Sequence, residues 1–187
     1  MPTHARARLL AAAEELFYAE GVRAVGVERL LSASGVGRAS FYRHFAGKDE
    51  LVVAVVQGYG VRFLDSLSRD VAARGGHPLA VFDALADRFA RDDYRGCAAI
   101  NTIIESADPE SAAHRVAAAH KDDVARYLAG LLTAAGAPRP AELADQFLLL
   151  VDGAIVTAQR ERDARAAHRA RTIAAALLPA ERPDPAG

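Results

Sequence analysis

Tryptophan is absent from this chain, methionine occurs once, and Cys97 is the single cysteine. One cysteine excludes an intramolecular disulfide and a zinc site built from cysteines, and it fits a reducing compartment. Lysine is found only at positions 48 and 121, so arginine supplies nearly all the positive charge, a bias of coding composition more than of chemistry. No excess of either sign exists: 23 basic residues face 24 acidic ones, a formal net charge of -1. That balance argues against a protein that coats nucleic acid without regard to sequence, since such proteins are basic throughout. Long apolar runs are missing too. The run Leu9 to Ala13 after Arg6 and Arg8 ends at Glu14 and Glu15, too early for the core of a secretion signal. No stretch approaches the roughly 18 uncharged apolar residues of a membrane helix. These absences predict a soluble, cytoplasmic protein with no membrane partner. Strand signals are equally scarce, with no sustained alternation of β-branched residues and no Asn-Gly or Asp-Gly hairpin turn.

What is present is alanine, 43 of 187 residues, and helical periodicity almost everywhere. A length of 187 residues suits one ordinary domain, or a small one joined to a larger one. Leu9, Ala13, Leu16 and Phe17 mark a first helix over about 3–20, with Thr3 placed to cap its start and Gly21 its end. Short helices follow over about 27–34 and 38–45, the second turning Phe41, Tyr42 and Phe45 inward, and a long one runs from Lys48 to about 73. Further helices are expected over about 78–92, begun by Pro78, over 97–106, and from an Asp108-Pro109 start to about 135. The last two span about 140–159 and 163–178. The count is about nine, an all-α protein.

Residues 21–51 concentrate the function. Two short helices are joined at Gly35-Val36, which is helix-turn-helix spacing. From Arg38 to Lys48 the segment carries Arg38, Arg43, His44 and Lys48 and no acid. Arg38 stands at the N-terminal end of the second helix, the end that meets base edges in such motifs. Ser40, Tyr42 and His44 add hydrogen-bonding groups suited to phosphates or bases. The Gly35-Val36 turn, the run Ser40-Phe41-Tyr42-Arg43-His44-Phe45 and the run Lys48-Asp49-Glu50-Leu51 closely resemble the DNA-binding domain of TetR-family transcriptional regulators.

That resemblance covers about residues 3–60. It implies a three-helix DNA-binding domain over 1–47, with the helix-turn-helix motif at about 26–45, and a larger helical effector-binding and dimerisation domain over 48–180. Residues 181–187 form a polar, proline-rich tail, expected to be disordered. It also implies that Arg38, Ala39, Ser40, Tyr42, Arg43, His44 and Lys48 face double-stranded operator DNA. Two positions depart from the family. Gly26 stands where a Thr or Ser usually precedes the first short helix, and Glu28 brings a carboxylate to a turn that often faces phosphates.

The resemblance further implies a homodimer paired through the last two large helices. Phe147, Val151, Ala154 and Ala158, with Ala170, Ile173 and Leu177, are the residues assigned to that face. A small-molecule effector, mostly apolar, is expected among the middle helices. Tyr59, Phe63, Phe82, Phe89, Ile104 and Val124 would wall its site, and Asn101, His120 and Tyr127 would supply polar anchors. The same residues would also suit an ordinary core. No catalytic constellation is found: no G-x-S-x-G elbow surrounds a serine, and His114 and His120 point to different faces of their helix. Neither a metal nor a cofactor is called for. The function expected is a sequence-specific transcriptional regulator, a repressor released by its effector. The alternative is a helical small-molecule-binding protein or enzyme that carries a helix-turn-helix-like surface but has no operator.

Overall fold

Side chains that recur every three to four residues can be buried on one stripe of a helix, and a chain built this way must stack helix on helix. The computed structural model describes residues 2–179, and the tail over 181–187 lies outside them. The described residues form nine helices and no strand: α1 (Pro2–Glu20), α2 (Val27–Ser34), α3 (Arg38–His44), α4 (Lys48–Ala72), α5 (Ala80–Phe89), α6 (Ala98–Glu105), α7 (Ala112–Ala134), α8 (Pro140–Glu161) and α9 (Arg165–Leu177). All nine expected helices are present. The long α4 is the described helix apolar enough by length and composition to cross a membrane. Its Leu51, Val52, Val55, Val56, Phe63, Leu67 and Val71 are buried within the protein.

The chain divides into two compact units. One comprises the chain up to Asp65 with Arg95–Asp122; the other comprises Ser66–Tyr94 with the chain from Asp123 onward. In the first unit, α1 packs against α2 and α3. Leu9, Ala13, Leu16, Phe17, Val25, Leu30, Phe41 and Phe45 are all buried there. In the second, α5 packs against α8 and α9, and α8 against α9. Phe82 of α5 meets Phe147 of α8 with ring centroids 5.7 Å apart, and Arg171 Nε of α9 lies 3.1 Å from Asp83 Oδ1 of α5.

Helix starts depart from the sequence reading in two places. Asp108 does not begin α7: its Oδ1 accepts from the Glu110 N–H at 2.9 Å, closing a local turn, and Ser111 caps the helix by accepting from the His114 N–H at 3.2 Å. Pro78 does not begin α5 either. The chain from His77 makes three successive i→i+3 bonds (Ala80 to His77, Val81 to Pro78, Phe82 to Leu79) before the α-helical ladder takes over. The start of α1 precedes Thr3, whose side chain lies outside the described ones.

The largest correction concerns the last two helices. Phe147, Val151, Ala154, Ala158 and Ala170, assigned from sequence to a dimer face, are buried inside the second unit. The reason is that α8 packs on two neighbours within the unit: α9, whose Ala166, Ala167, Ala170 and Ala174 are buried, and α5, whose Phe82 meets Phe147. Ile173 and Leu177 do remain exposed. On α8 the exposed large apolar residues are Leu149 (75%) and Val156 (51%), with Gly153 between them. Phe147→Ala is therefore expected to cost about 3–5 kcal/mol of unfolding free energy in urea at every protein concentration. A loss confined to dilute solution would place Phe147 at an interface instead.

Candidate nucleic-acid interface

The site is built around a turn that only glycine makes cheaply. Gly35 closes α2 with φ 61°, in the left-handed region, where a Cβ is penalised. Three contacts hold the turn. The Val36 N–H donates to the buried Ser34 Oγ at 3.3 Å, Ser34 Oγ reaches the Leu31 carbonyl at 3.4 Å, and Arg8 Nη2 of α1 donates to the Gly35 carbonyl at 3.3 Å. Beyond the turn α3 has just seven residues, too few to stand alone, and its position comes from packing. Phe41 is fully buried, and Phe45 follows it at a ring-centroid distance of 6.1 Å. Arg6 of α1 lies over the Phe45 ring at 5.3 Å. The junction to α4 is closed by Glu50, whose Oε2 accepts from the Ala46 N–H at 2.6 Å, so an acid in the first turn of α4 satisfies the chain that leaves α3.

With Phe41 and Phe45 turned inward, the helical repeat sends the polar side chains of α3 outward. Arg38, Ala39, Tyr42 and Arg43 are exposed, and Ser40, His44 and Lys48 are half-buried on the same segment. Tyr42, expected from the sequence to turn inward, is instead 51% exposed, its ring edge-on to Phe41 at 5.1 Å, because Phe41 and Phe45 fill the inner side of this short helix. One partner is new. Arg38 Nη2 donates to Glu28 Oε1, an ion pair from the head of α3 to the first turn of α2. Sequence reasoning treated Glu28 as an unwanted carboxylate and did not foresee the pairing. It also missed Arg6 and Arg8, whose spacing on α1 had been considered just as a signal-like flank.

The same unit holds a second feature. Tyr59 and Phe63 of α4 pack their rings against the buried His120 of α7 at centroid distances of 5.7 and 5.5 Å, both edge-on. Asn101 of α6 donates to the Arg95 carbonyl at 3.2 Å, turning back on its own loop. Ile104 does not wall anything within this unit; it is 75% exposed, because α6 directs Ala99 and Thr102 inward instead. At the end of α6, Glu105 Oε2 accepts from the Arg23 N–H at 2.7 Å, in the turn between α1 and α2. Close by in sequence, the Arg95 N–H donates to Tyr18 Oη of α1 at 2.8 Å. Neither contact has a sequence signal, since both join residues about 80 positions apart.

The other cavity candidates belong to the second unit. Phe82 faces Phe147, Phe89 lies 4.9 Å from Tyr94 between centroids, and Val124 is buried. Burial pushes the Tyr127 phenol above its ordinary pKa. Among the described residues no group of three or more His, Cys, Asp or Glu is placed to hold a metal ion, and Cys97 is buried.

A short exposed basic helix, set by a left-handed glycine turn onto a three-helix core, defines a helix-turn-helix protein. Residues 9–55 match the family of bacterial regulatory proteins named for tetR. A TetR-family transcriptional regulator from Streptomyces coelicolor is 29% identical, with 94% of this chain and 95% of that one covered and a TM-score of 0.81. A TetR-type regulator from Streptomyces avermitilis is 30% identical, with 91% and 98% covered and a TM-score of 0.77. The transcriptional repressor KstR2 of Rhodococcus jostii is 30% identical over 127 residues, 66% of this chain and 52% of that protein. The chain spans about half the length of the curated relatives it matches. The chain belongs to the TetR family, whose members are DNA-binding transcriptional regulators and not enzymes.

Gly60 offers a direct check on the aromatic cluster. A Cβ built there would sit 3.0 Å from His120 Nδ1. Glycine inside a helix normally costs about 1 kcal/mol relative to alanine. Gly60→Ala is nevertheless expected to lower stability in thermal unfolding, by about 1–3 kcal/mol, because overpacking outweighs the propensity gain. A rise in melting temperature would show that His120 moves aside freely.

Proposed function

We propose that this chain is a homodimeric, operator-binding repressor whose α3 reads the major groove and whose release from DNA is driven by a small, mostly apolar effector. The DNA-binding part is the segment 1–47, and the effector and dimer functions belong to 48–180. The observation that carries the reading is the division of α3: Phe41 is sealed in the core while Arg38, Ala39, Tyr42 and Arg43 stand exposed on the opposite side. Arg38, at the head of the helix, is placed for a base edge. Arg43, Lys48, Ser40 and His44 are suited to phosphates along the groove, where attraction gives affinity without sequence information. The name of the Rhodococcus jostii relative, a repressor, supports the sign of regulation.

Dimerisation is assigned to the outer face of α8 and α9, not to the stripe first read from sequence. Leu149 and Val156 are seven residues apart on α8, hence on one face, and Ile173 and Leu177 are one turn apart on α9. Gly153, between the first two, leaves open space where a Cβ would be, which allows another backbone to approach. Such a face on a two-fold axis is self-complementary, and the dimer it makes carries two copies of α3, as a two-half-site operator requires.

The effector reading rests on the aromatic cluster of Tyr59, Phe63 and His120, apolar walls with one polar ring among them. It lies on α4, the same helix whose Glu50 closes the junction with α3. A ligand that favours one placement of α4 would thus bias α3, and to invert a 99:1 population it must prefer the released state by about 5.5 kcal/mol.

Three measurements check this. Arg38→Ala is expected to cost about 1–3 kcal/mol on the preferred duplex and to relax choice at one position of each half-site, whereas Lys48→Ala weakens all sequences alike and flattens the salt dependence. Equal loss on preferred and random DNA for Arg38→Ala would remove α3 from base reading. Gly153→Glu is expected to give a monomer by light scattering with undiminished helicity; a persistent dimer would move the interface elsewhere. Apolar compounds that raise the melting temperature should also release DNA in gel shifts. Phe63→Ala should weaken their binding, and unchanged affinity would leave Tyr59, Phe63 and His120 as core alone.

A further inference from the structure

Glu28 and Arg38 are ten residues apart in sequence, and their ion pair spans the two helices of the motif across the Gly35 turn. Their side chains are 73% and 59% exposed. A pair this exposed adds little to stability, because solvent screens it and two long side chains must be held still. Glu28 has one local reason to exist: Gly26 caps α2 without a side-chain acceptor, and an acid in the first turn suits the positive end of the helix. That duty does not require reaching Arg38. The carboxylate also stands beside a surface whose exposed charges on α3, Arg38 and Arg43, are basic. There it repels phosphate and works against simple affinity.

We propose that Glu28 is a specificity-determining residue that positions Arg38 for a guanine and penalises binding where no guanine is met. This rests on the reading of α3 as the base-reading helix. The carboxylate takes one N–H of Nη2 and leaves the rest of the guanidinium fork able to bond O6 and N7 of one guanine. A guanidinium already held by one edge loses less freedom when it docks. Away from a guanine, the fork has only phosphates to serve, and Glu28 opposes them. The residue thus lowers binding to arbitrary DNA more than binding to the preferred site, and specificity is that difference.

The test begins with enrichment of a randomised duplex library on the full chain, followed by anisotropy titrations over a range of salt on the enriched and a scrambled duplex. Glu28→Gln is expected to bind the scrambled duplex about tenfold tighter at low salt, with the slope of log K against log salt steeper by about 1. Preference for the enriched duplex should fall about tenfold, and Glu28→Ala should do the same, with the melting temperature essentially unchanged. In an Arg38→Ala background, Glu28→Gln should bring no further loss of preference, since the two act through one contact. If both Glu28 variants keep the wild-type preference and merely melt earlier, Glu28 is an acid at a helix start and the proposal is overturned. If the wild-type chain enriches no sequence, the base-reading role of α3 fails first, and this proposal with it.

Discussion

The burial of Phe41 is the constraint on which the rest of this structure turns. A seven-residue helix has no stability of its own, so α3 exists because one ring on it is buried where the helix packs against α1, while a glycine turn sets its direction. Once that ring is fixed, the helical repeat leaves no choice about the outward side chains. Arg38, Tyr42 and Arg43 face solvent because Phe41 and Phe45 cannot. Function here is a by-product of which residues the core claims, and the left-handed Gly35 is what lets the core claim them.

The same unit shows how a signal could reach that helix. Glu50 ties the first turn of α4 to Ala46, and nine residues further along α4 Tyr59 meets His120. From the other side, Glu105 at the end of α6 holds the Arg23 N–H between α1 and α2, and Tyr18 holds the Arg95 N–H. The helices of the motif are thereby fastened at two ends by hydrogen bonds instead of by apolar packing alone. Hydrogen bonds have narrow geometric tolerance, so small shifts at either end change them.

Much of this was legible in the sequence, and the failures have specific causes. Helices with strong caps or glycine stops were readable: Val27–Ser34 matched residue for residue because Gly26 and Gly35 bracket it. Starts failed where side chains solved the end locally, as Ser111 did in preference to Asp108. The exposed basic helix α3 was legible as an element because its charges cluster within one short segment. The dimer stripe misled because periodicity shows that a face is buried, never what buries it. Phe147, Val151 and Ile155 are on the inner face of α8, and the outward Leu149 and Val156 are interleaved with them in sequence. Glu28 was visible as an anomaly, but its partner ten residues away follows from the angle between α2 and α3, which no local pattern encodes.

The central claim is that the exposed side of α3, presented twice by a two-fold dimer, reads DNA. Hydroxyl-radical footprinting of the full chain on a duplex enriched from a random library tests it most directly. The account predicts two protected patches on one face of the duplex, related by a two-fold axis and about 34–36 Å apart or somewhat wider, each lost in part when Arg38 is replaced by alanine. A single patch, or a uniform protection indifferent to Arg38, would contradict it.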